Sequence, residues 1–271
     1  MKYRQFFLAI LVCLLPIFTI LANSKEQLFY EAVRLEATGN IDLAIENYEK
    51  ITNQASSANL HGNLANLYFK KSDYSRSILH YRKALLLDAN NQEFISNLAY
   101  VCSIANVQNT EHPRHLMIGG FSANFWKGFL ILFIWCGLFL ISFLFFRRAA
   151  GKSITLVCLG WLGGVLPLAL VVFYSSKQEN LAERQVIALL HKDNDDTNAS
   201  ASVALRRFAA SSSTANASVR PGESLFVNES QLGGFQSHQG ENAQNWLLVR
   251  SADSLKKGWV QRDEVGWVVQ N

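Results

Sequence analysis

Histidines are the residues of this chain best suited by type to acid–base or metal chemistry, and their spacing favours neither use. The six histidines are scattered along the sequence, and only His112 and His115 come close together, as an H-x-x-H pair beside Glu111. Such a pair can ligate a metal, but a closed metal site needs further carboxylate, histidine or thiolate ligands. We therefore interpret the pair as part of a polar linker covering 111–128, and we predict no metal site.

Motifs of known catalytic or cofactor-binding use are absent from the sequence. It contains no G-x-S-x-G, no H-E-x-x-H and no glycine-rich phosphate loop. The acidic run Asp193–Asn198 resembles a calcium loop, but Asn198 stands where the EF-hand requires glycine, and no glutamate ends the loop. We therefore predict a solvated loop at this position and a chain that is not an enzyme and takes no cofactor.

The cysteines exclude a disulfide framework. Of the four, Cys13 lies in an N-terminal apolar run, Cys136 and Cys158 lie in two longer apolar runs, and only Cys102 lies in a soluble segment. A lone cysteine forms neither an internal disulfide nor a thiolate cluster, so we expect Cys102 to be a small buried apolar residue. A net charge of +4, without a basic block outside the apolar flanks, argues against nucleic-acid binding.

The elements that must position these residues include two long apolar runs, Phe129–Phe146 and Ser153–Tyr174. Neither run carries a charged side chain, and each approaches the ~20 residues that cross a bilayer as a helix. The link between them, Arg147–Lys152, is so short that the two helices must be antiparallel. The sequence therefore predicts a transmembrane hairpin whose preceding and following segments lie on the same side of the membrane.

Charge predicts the orientation of this hairpin. The link carries Arg147, Arg148 and Lys152, whereas the outer flanks are sparser, with Lys127 before the first run and Lys177 after the second. Because cytoplasmic loops are enriched in Lys and Arg, we place the link in the cytosol. Both soluble parts then lie in the periplasm, on the outer face of a bacterial inner membrane.

The N-terminus agrees with export. Two basic residues precede the apolar run Phe6–Ala22, which is the arrangement of a secretory signal peptide over 1–22. Cleavage is expected after Ala22, but Ile20 is larger than the residue usually found three positions before a cleavage site, so an uncleaved anchor stays open as the alternative. Both alternatives export the segment that follows.

The second apolar run contains a G-x-x-x-G made by Gly160 and Gly164. This spacing lets membrane helices approach closely, so both glycines are candidates for helix contact, although glycine is common in membrane helices in any case. Pro167 should kink the same helix. Neither run holds an Asp, Glu, Lys, Arg or His, and ion or proton pathways normally need such groups. We therefore expect this chain alone to be neither a transporter nor a channel.

The segment 25–110 has helical periodicity and an internal repeat. Aligning Gly39 with Ser72 gives a period of 72 − 39 = 33 residues, close to the 34 residues of tetratricopeptide repeats. A third helix over Glu93–Ala105 would stack on the second copy. That copy resembles the tetratricopeptide family at the positions where its paired helices interlock, which are Leu64, Ala65, Tyr68, Ser77, Tyr81 and Ala84. The resemblance implies an all-α tetratricopeptide-repeat domain.

Tetratricopeptide domains bind peptides in a groove, and asparagine in that groove can hydrogen-bond a ligand backbone. The family's carboxylate clamp also needs a basic residue and an asparagine in the first repeat, where this chain has Phe29 and Val33. A ligand with a C-terminal carboxylate is therefore not expected. The alternative is that the asparagines only solvate one helix face. The resemblance implies a groove lined by Asn63, Asn66, Lys70, Asn97 and Tyr100.

The segment 180–271 changes to short runs rich in β-branched and aromatic residues, separated by polar stretches. We predict a turn at Pro221-Gly222 and a long loop over Ser211–Ala217. A series built on Trp246 and Trp259 (NWLLVR, then GWV) resembles bacterial SH3-like domains, which implies a small all-β barrel. We interpret both tryptophans as core residues, because aromatic side chains dominate burial in small barrels. Strands are predicted over 185–190, 202–208, 224–228, 246–250 and 257–261.

The order of these segments resembles the BatE family of aerotolerance-operon proteins over nearly the full chain. The resemblance implies a non-enzymatic, multidomain membrane adaptor that presents a tetratricopeptide module and an SH3-like module to the periplasm. Its partners would be Bat-type von Willebrand A membrane proteins and, indirectly, a MoxR-type ATPase, in a complex linked to aerotolerance, oxidative stress or envelope stress. The alternative is a protein that binds peptidoglycan, or regulates a cell-wall enzyme, through the SH3-like domain.

Overall fold

The chain divides into two compact units. A computed structural model describes residues 26–53, 55–109, 121–147, 151–189, 202–230, 234–240 and 244–269. One unit comprises 1–109 with 187–203 and 220–223, and the other comprises 110–186 with 204–219 and 224–271. The predicted signal peptide, the His112–His115 pair and the acidic run Asp193–Asn198 lie outside the described residues.

Helices fill most of the first unit. Side chains cap three of them, since Ser57, Asp73 and Asn91 each accept a hydrogen bond from the backbone N–H three residues further on. Such caps satisfy N–H groups that the first turn of a helix leaves without partners. The helices described are α1 (26–37), α2 (Ile41–Thr52), α3 (Ala58–Lys70), α4 (Tyr74–Leu87) and α5 (Gln92–Ala105).

The turn between α1 and α2 repeats between α3 and α4. Gly39 has φ +80° and Ser72 has φ +60°, so each turn passes through the left-handed region. The backbone N–H after each of these residues reaches back five positions, from Asn40 to Leu35 O and from Asp73 to Tyr68 O, both at 2.9 Å. The internal period predicted from the sequence therefore appears as two turns with the same hydrogen bonds.

Small and large side chains alternate in the core between these helices. Ala44, Ala65 and Ala84 are fully buried, and so are the larger Tyr48 and Leu64. Small residues let helix axes approach closely, and the large ones fill the remaining space. Cys102 is also buried, as predicted for the cysteine of the soluble segment.

The second unit begins with two apolar helices that pack against each other, α6 (Ala123–Phe146) and α7 (Gly151–Glu183). Both are long and apolar enough to cross a membrane, by length and composition, and hardly any of their most apolar stretch is buried. They exceed the predicted spans, because α6 already starts at Ala123, after the capping residue Ser122 that accepts from the N–H of Phe125, and because α7 continues into a polar segment. α7 also continues through Pro167.

An antiparallel sheet of eight strands follows α7, in the order β3-β2-β7-β6-β4-β1-β8, with β5 paired to β6. β6 is the central strand, and it pairs with β4, β5 and β7. The order describes an open sheet, so the predicted closed barrel stays a prediction. The strands are β1 (Gln185–Ala188), β2 (Val203–Arg206), β3 (Ala215–Val219), β4 (Ser224–Val227), β5 (Ser237–Gln239), β6 (Asn245–Ser251), β7 (Lys257–Gln261) and β8 (Val265–Trp267).

Five strands fall where the sequence predicts them, and the structure adds three. The expected loop Ser211–Ala217 is shorter than predicted, because β3 already begins at Ala215. The predicted turn at Pro221-Gly222 is confirmed. Glu223 N donates to Arg220 O at 3.0 Å, and Gly222 has φ +92°, a value that glycine tolerates without strain.

Candidate functional site

The alternate helices α1, α3 and α5 join into one face of the helical unit. Lys70 Nζ on α3 lies 2.7 Å from the Glu36 carboxylate on α1, across a sequence separation of 34. On the other side of α3, the rings of Phe69 and Tyr100 have centroids 5.8 Å apart. Gly62 leaves room on α3 for the ring of Phe94, which occupies the place of a Cβ there. We call this face the α1-α3-α5 face, and all five residues of the predicted groove belong to two of its helices, α3 and α5.

The five residues differ in exposure and in the contacts they make. Lys70 and Tyr100 are exposed, whereas Asn63, Asn66 and Asn97 are half-buried. The three amides are therefore partly covered by the packing of the helices, whereas Lys70 and Tyr100 lie at the surface.

Each asparagine lies beside a tyrosine of a neighbouring helix. The Tyr81 hydroxyl donates to the side-chain oxygen of Asn66. Burial raises the pKa of Tyr48, and the nearby Asn63 side chain opposes the rise, although the Tyr48 hydroxyl has no hydrogen-bond partner among the described residues. Burial likewise raises the pKa of Tyr81, and Asn97 opposes it. A phenol pKa falls when its oxygen receives a hydrogen bond, because the bond favours the charged form.

These contacts repeat with the period of the chain. Tyr48 and Tyr81 are 33 residues apart, and Asn63 and Asn97 are 34 apart. The asparagines and tyrosines of neighbouring helices therefore lie close together, and sequence analysis missed this arrangement. The shared period of the tyrosines and asparagines was the signal that could have revealed it.

The charges on the α1-α3-α5 face largely cancel, because Lys70 is paired with Glu36. On α1, Phe29, Tyr30 and Val33 are exposed. The face thus combines exposed aromatic side chains with amide groups, and its basic residue already has a carboxylate partner. Amides suit the backbone of an extended peptide, and aromatic rings suit its apolar side chains.

A second feature of the helical unit is a buried pair of histidines. The Nδ1 atoms of His61 on α3 and His80 on α4 lie 3.1 Å apart, and the two side chains are almost fully buried. Ser56 Oγ lies 2.9 Å from His61 Nε2. The Tyr68 ring stacks on His80, with centroids 5.4 Å apart, and its hydroxyl donates to Glu49.

The surroundings keep both imidazoles neutral. Burial, followed by the charge of Lys83, lowers the pKa of His61 to about 4. Burial lowers the pKa of His80 well below its usual value, and the charges of Lys83 and Arg76 act in the same direction. Two neutral imidazoles at this distance share one N–H between their Nδ1 atoms. A second proton on either facing nitrogen would place N–H against N–H in a buried site.

The expectation that the histidines are scattered is therefore wrong for His61 and His80. They are 19 residues apart in sequence, and the packing of α3 on α4 brings them together. The sequence held a weak signal that both histidines are buried, because His61 and His80 each precede a buried residue of the same helix by one turn (Leu64 and Ala84). Among the described residues, no group of three or more His, Cys, Asp or Glu side chains gathers to hold a metal.

The apolar hairpin has its tightest contacts at two glycines. A Cβ on Gly137 of α6 would overlap the Trp161 ring, whose Nε1 donates to Phe133 O at 3.3 Å. On α7, a Cβ on Gly164 would overlap the Phe133 ring, whereas Gly160 has open space around it. Of the two predicted helix-contact glycines, the structure therefore places only Gly164 against the partner helix, and it adds Gly137, which no spacing motif marks.

The two tryptophans of the sheet have different surroundings. Trp246 is 1% exposed and belongs to the core. Trp259 is half-buried, and its ring lies at 6.2 Å from that of His238. The sheet therefore buries one of the predicted core tryptophans completely and the other only in part.

No protein-family model matches this chain, and a comparison with curated proteins finds no match either.

Proposed function

We propose that the chain is a non-enzymatic membrane adaptor, in which the helical unit is a tetratricopeptide-type module that binds an extended segment of a partner protein. The observation that carries this proposal is the α1-α3-α5 face. It links α3 to α1 through Lys70 and to α5 through Tyr100, and Asn66 lies on α3 one turn before Lys70.

The composition of the face favours a particular ligand. The Tyr81 hydroxyl uses the oxygen of the Asn66 side chain, which leaves the NH₂ group of that amide to donate to a peptide carbonyl. Tyr100 is 60% exposed and offers an aromatic surface. Since Lys70 is already paired with Glu36, the expected ligand is an extended peptide without a required terminal carboxylate.

The rest of the proposal concerns the membrane. α6 and α7 would cross a bacterial inner membrane as a hairpin, with the basic link in the cytosol. The helical module and the sheet, which would be an SH3-like domain, then face the periplasm. The resemblance to the BatE family supports Bat-type von Willebrand A membrane proteins as partners, with a MoxR-type ATPase reached indirectly through them.

Replacement of Tyr100 by alanine tests the proposal in the full-length chain. The variant and the parent are purified from membranes, and the recovery of Bat-type von Willebrand A proteins is quantified. Loss of an aromatic anchor typically costs 1–2 kcal/mol of binding, so recovery should correspond to an affinity about tenfold lower. Leu43→Ala is the matched control, because Leu43 is 52% exposed on α2.

Two results would contradict this function. Equal recovery with Tyr100→Ala and with the parent would show that the α1-α3-α5 face does not bind the partner. Retention of every partner after deletion of 25–110 would remove the helical module from the interaction altogether. Thermal melting of each variant separates lost binding from lost folding.

A further inference from the structure

A basic pocket lies where α7 leaves its apolar stretch and meets the sheet of the same unit. It has a volume of about 380 Å³. Lys177 comes from the polar end of α7, Arg184 follows that helix directly, Arg250 comes from β6, and Glu229 follows β4. Among the described residues that line it, three cations therefore face one carboxylate, and the pocket carries an excess of positive charge.

The Arg184 side chain lines this pocket and is held in place by two polar contacts. Its Nε donates to Val227 O at 2.7 Å, and its Nη1 lies 3.3 Å from the Glu229 carboxylate. The side chain is only 15% exposed. Burial lowers the pKa of Arg184, and the nearby charge of Arg250 lowers it further, while Glu229 opposes both effects. Two guanidinium groups thus repel each other here, and a bound anion would relieve the repulsion.

The pocket also has an apolar edge that points to the kind of anion. Phe173 and Leu181 line it together with the basic residues. Phe173 lies within the apolar part of α7, and Lys177 follows it by one turn. At ~1.5 Å per residue, Lys177 lies about 6 Å beyond Phe173 along the helix, which matches the depth of a lipid headgroup layer outside the hydrocarbon core.

We propose that this pocket binds the phosphate headgroup of an anionic phospholipid, with Lys177 and Arg250 contacting the phosphate and Phe173 contacting the start of the acyl chains. The inference rests on the proposed insertion of the α6–α7 hairpin in a membrane. Arginine and lysine are the usual phosphate ligands in proteins, and arginine can bind a phosphate through two N–H groups. A soluble inorganic anion would gain nothing from contact with the apolar edge.

Native mass spectrometry of the full-length chain tests the inference. The protein is extracted in mild detergent, and its binding of phosphatidylglycerol and phosphatidylcholine is titrated. We expect tighter binding of phosphatidylglycerol, and a loss of about fivefold in its affinity in Lys177→Gln and again in Arg250→Gln. Lys127→Gln is the matched control, since it removes a cation near the membrane end of α6, outside the pocket, and should leave the affinity unchanged.

The outcomes separate this inference from the proposed membrane function. Failure of the parent chain to float with phosphatidylcholine vesicles would overturn the membrane insertion itself. Flotation without a preference for phosphatidylglycerol would overturn the lipid-binding pocket but not the membrane insertion. An equal loss of phosphatidylglycerol affinity in Lys127→Gln would do the same. Displacement of the lipid by millimolar inorganic phosphate would assign the site to a free anion and also overturn it. Lys177 is exposed, so its variant tests the site even where Arg250→Gln fails to fold.

Discussion

Lowering the pH from 7 to 5 should destabilise the packing of α3 against α4, because the folded chain holds His61 and His80 as neutral bases in a buried pair. The nitrogen atoms that face each other are 3.1 Å apart. Lys83 and Arg76 add positive charge nearby, and Tyr68 covers His80 with its ring. The Glu49 carboxylate, which the Tyr68 ring connects to this pair, already accepts the hydrogen bond of the Tyr68 hydroxyl.

The size of the effect follows from the pKa of His61, which is about 4 in the folded chain and about 6.5 when unfolded. Above pH 6.5 the imidazole is neutral in both states, and nothing is lost. Between pH 6.5 and pH 4 the unfolded state binds more protons, so stability falls as the pH falls. His61 alone accounts for a loss of about 2 kcal/mol at pH 5 and about 3.4 kcal/mol below pH 4. His80 shifts in the same direction and adds to the loss.

Hydrogen exchange followed by mass spectrometry measures this loss in the full-length chain. Peptides from α3 and α4 should lose about 30-fold in protection between pH 7 and pH 5, after correction for intrinsic exchange rates, since 1.4 kcal/mol corresponds to a factor of ten. The double variant His61→Gln, His80→Gln should largely lose this pH dependence. His238→Gln on β5 is the matched control and should retain it.

Two results would refute the reasoning about this pair. Protection of α3 and α4 that is equal at pH 7 and pH 5 would show that neither histidine resists protonation in the folded state. A loss that persists in the double variant would assign the acid sensitivity to groups other than these two histidines.

Further substitutions test the turns and the hairpin. Ser72→Gly should stabilise the helical unit by about 0.5 kcal/mol, because glycine relieves the strain of a left-handed serine, while the larger conformational entropy of glycine in the unfolded chain offsets part of this gain. Gly39→Ser should lower the melting temperature, and an unchanged melting temperature in both variants would contradict the argument. Gly137→Ala should displace the Trp161 ring and cost about 1–3 kcal/mol in hairpin packing, seen as altered tryptophan emission, whereas Gly160→Ala should change nothing.

The pattern of polar and apolar side chains predicted those strands that bury one face. β7 has the predicted bounds, since Lys257–Gln261 alternates exposed or half-buried residues with buried ones. β5 was missed because all three residues of Ser237–Gln239 are exposed, and only pairing with β6 makes them a strand. β3 was missed for the same reason, because its first residues are small and exposed. Edge strands of this kind are defined by backbone hydrogen bonds, which leave no mark on composition.

The α1-α3-α5 face was predictable from the repeat, whereas the contacts of its side chains were not. Asn63 and Asn97 stand out by their period, but their contacts with Tyr48 and Tyr81 depend on how each helix packs on the one before it. The same holds for His61 and His80, because a distance of 3.1 Å between side chains on two helices is set by their packing and not by spacing. Basic residues of the pocket on α7 and β6 are likewise brought together only by the fold.

The groove and the histidine pair are linked through one helix. α3 carries Asn63, Asn66 and Lys70, three residues of the predicted groove, and it also carries His61, which contacts His80 on α4. A partner that binds only the folded face stabilises α3 by mass action, and protonation of the buried pair opposes the same folding. Partner affinity should therefore fall between pH 6.5 and pH 4 in the parent chain, and it should fall less in the double variant His61→Gln, His80→Gln. Because the proposed topology places this module outside the cytosol, the pH of that compartment would act on it directly.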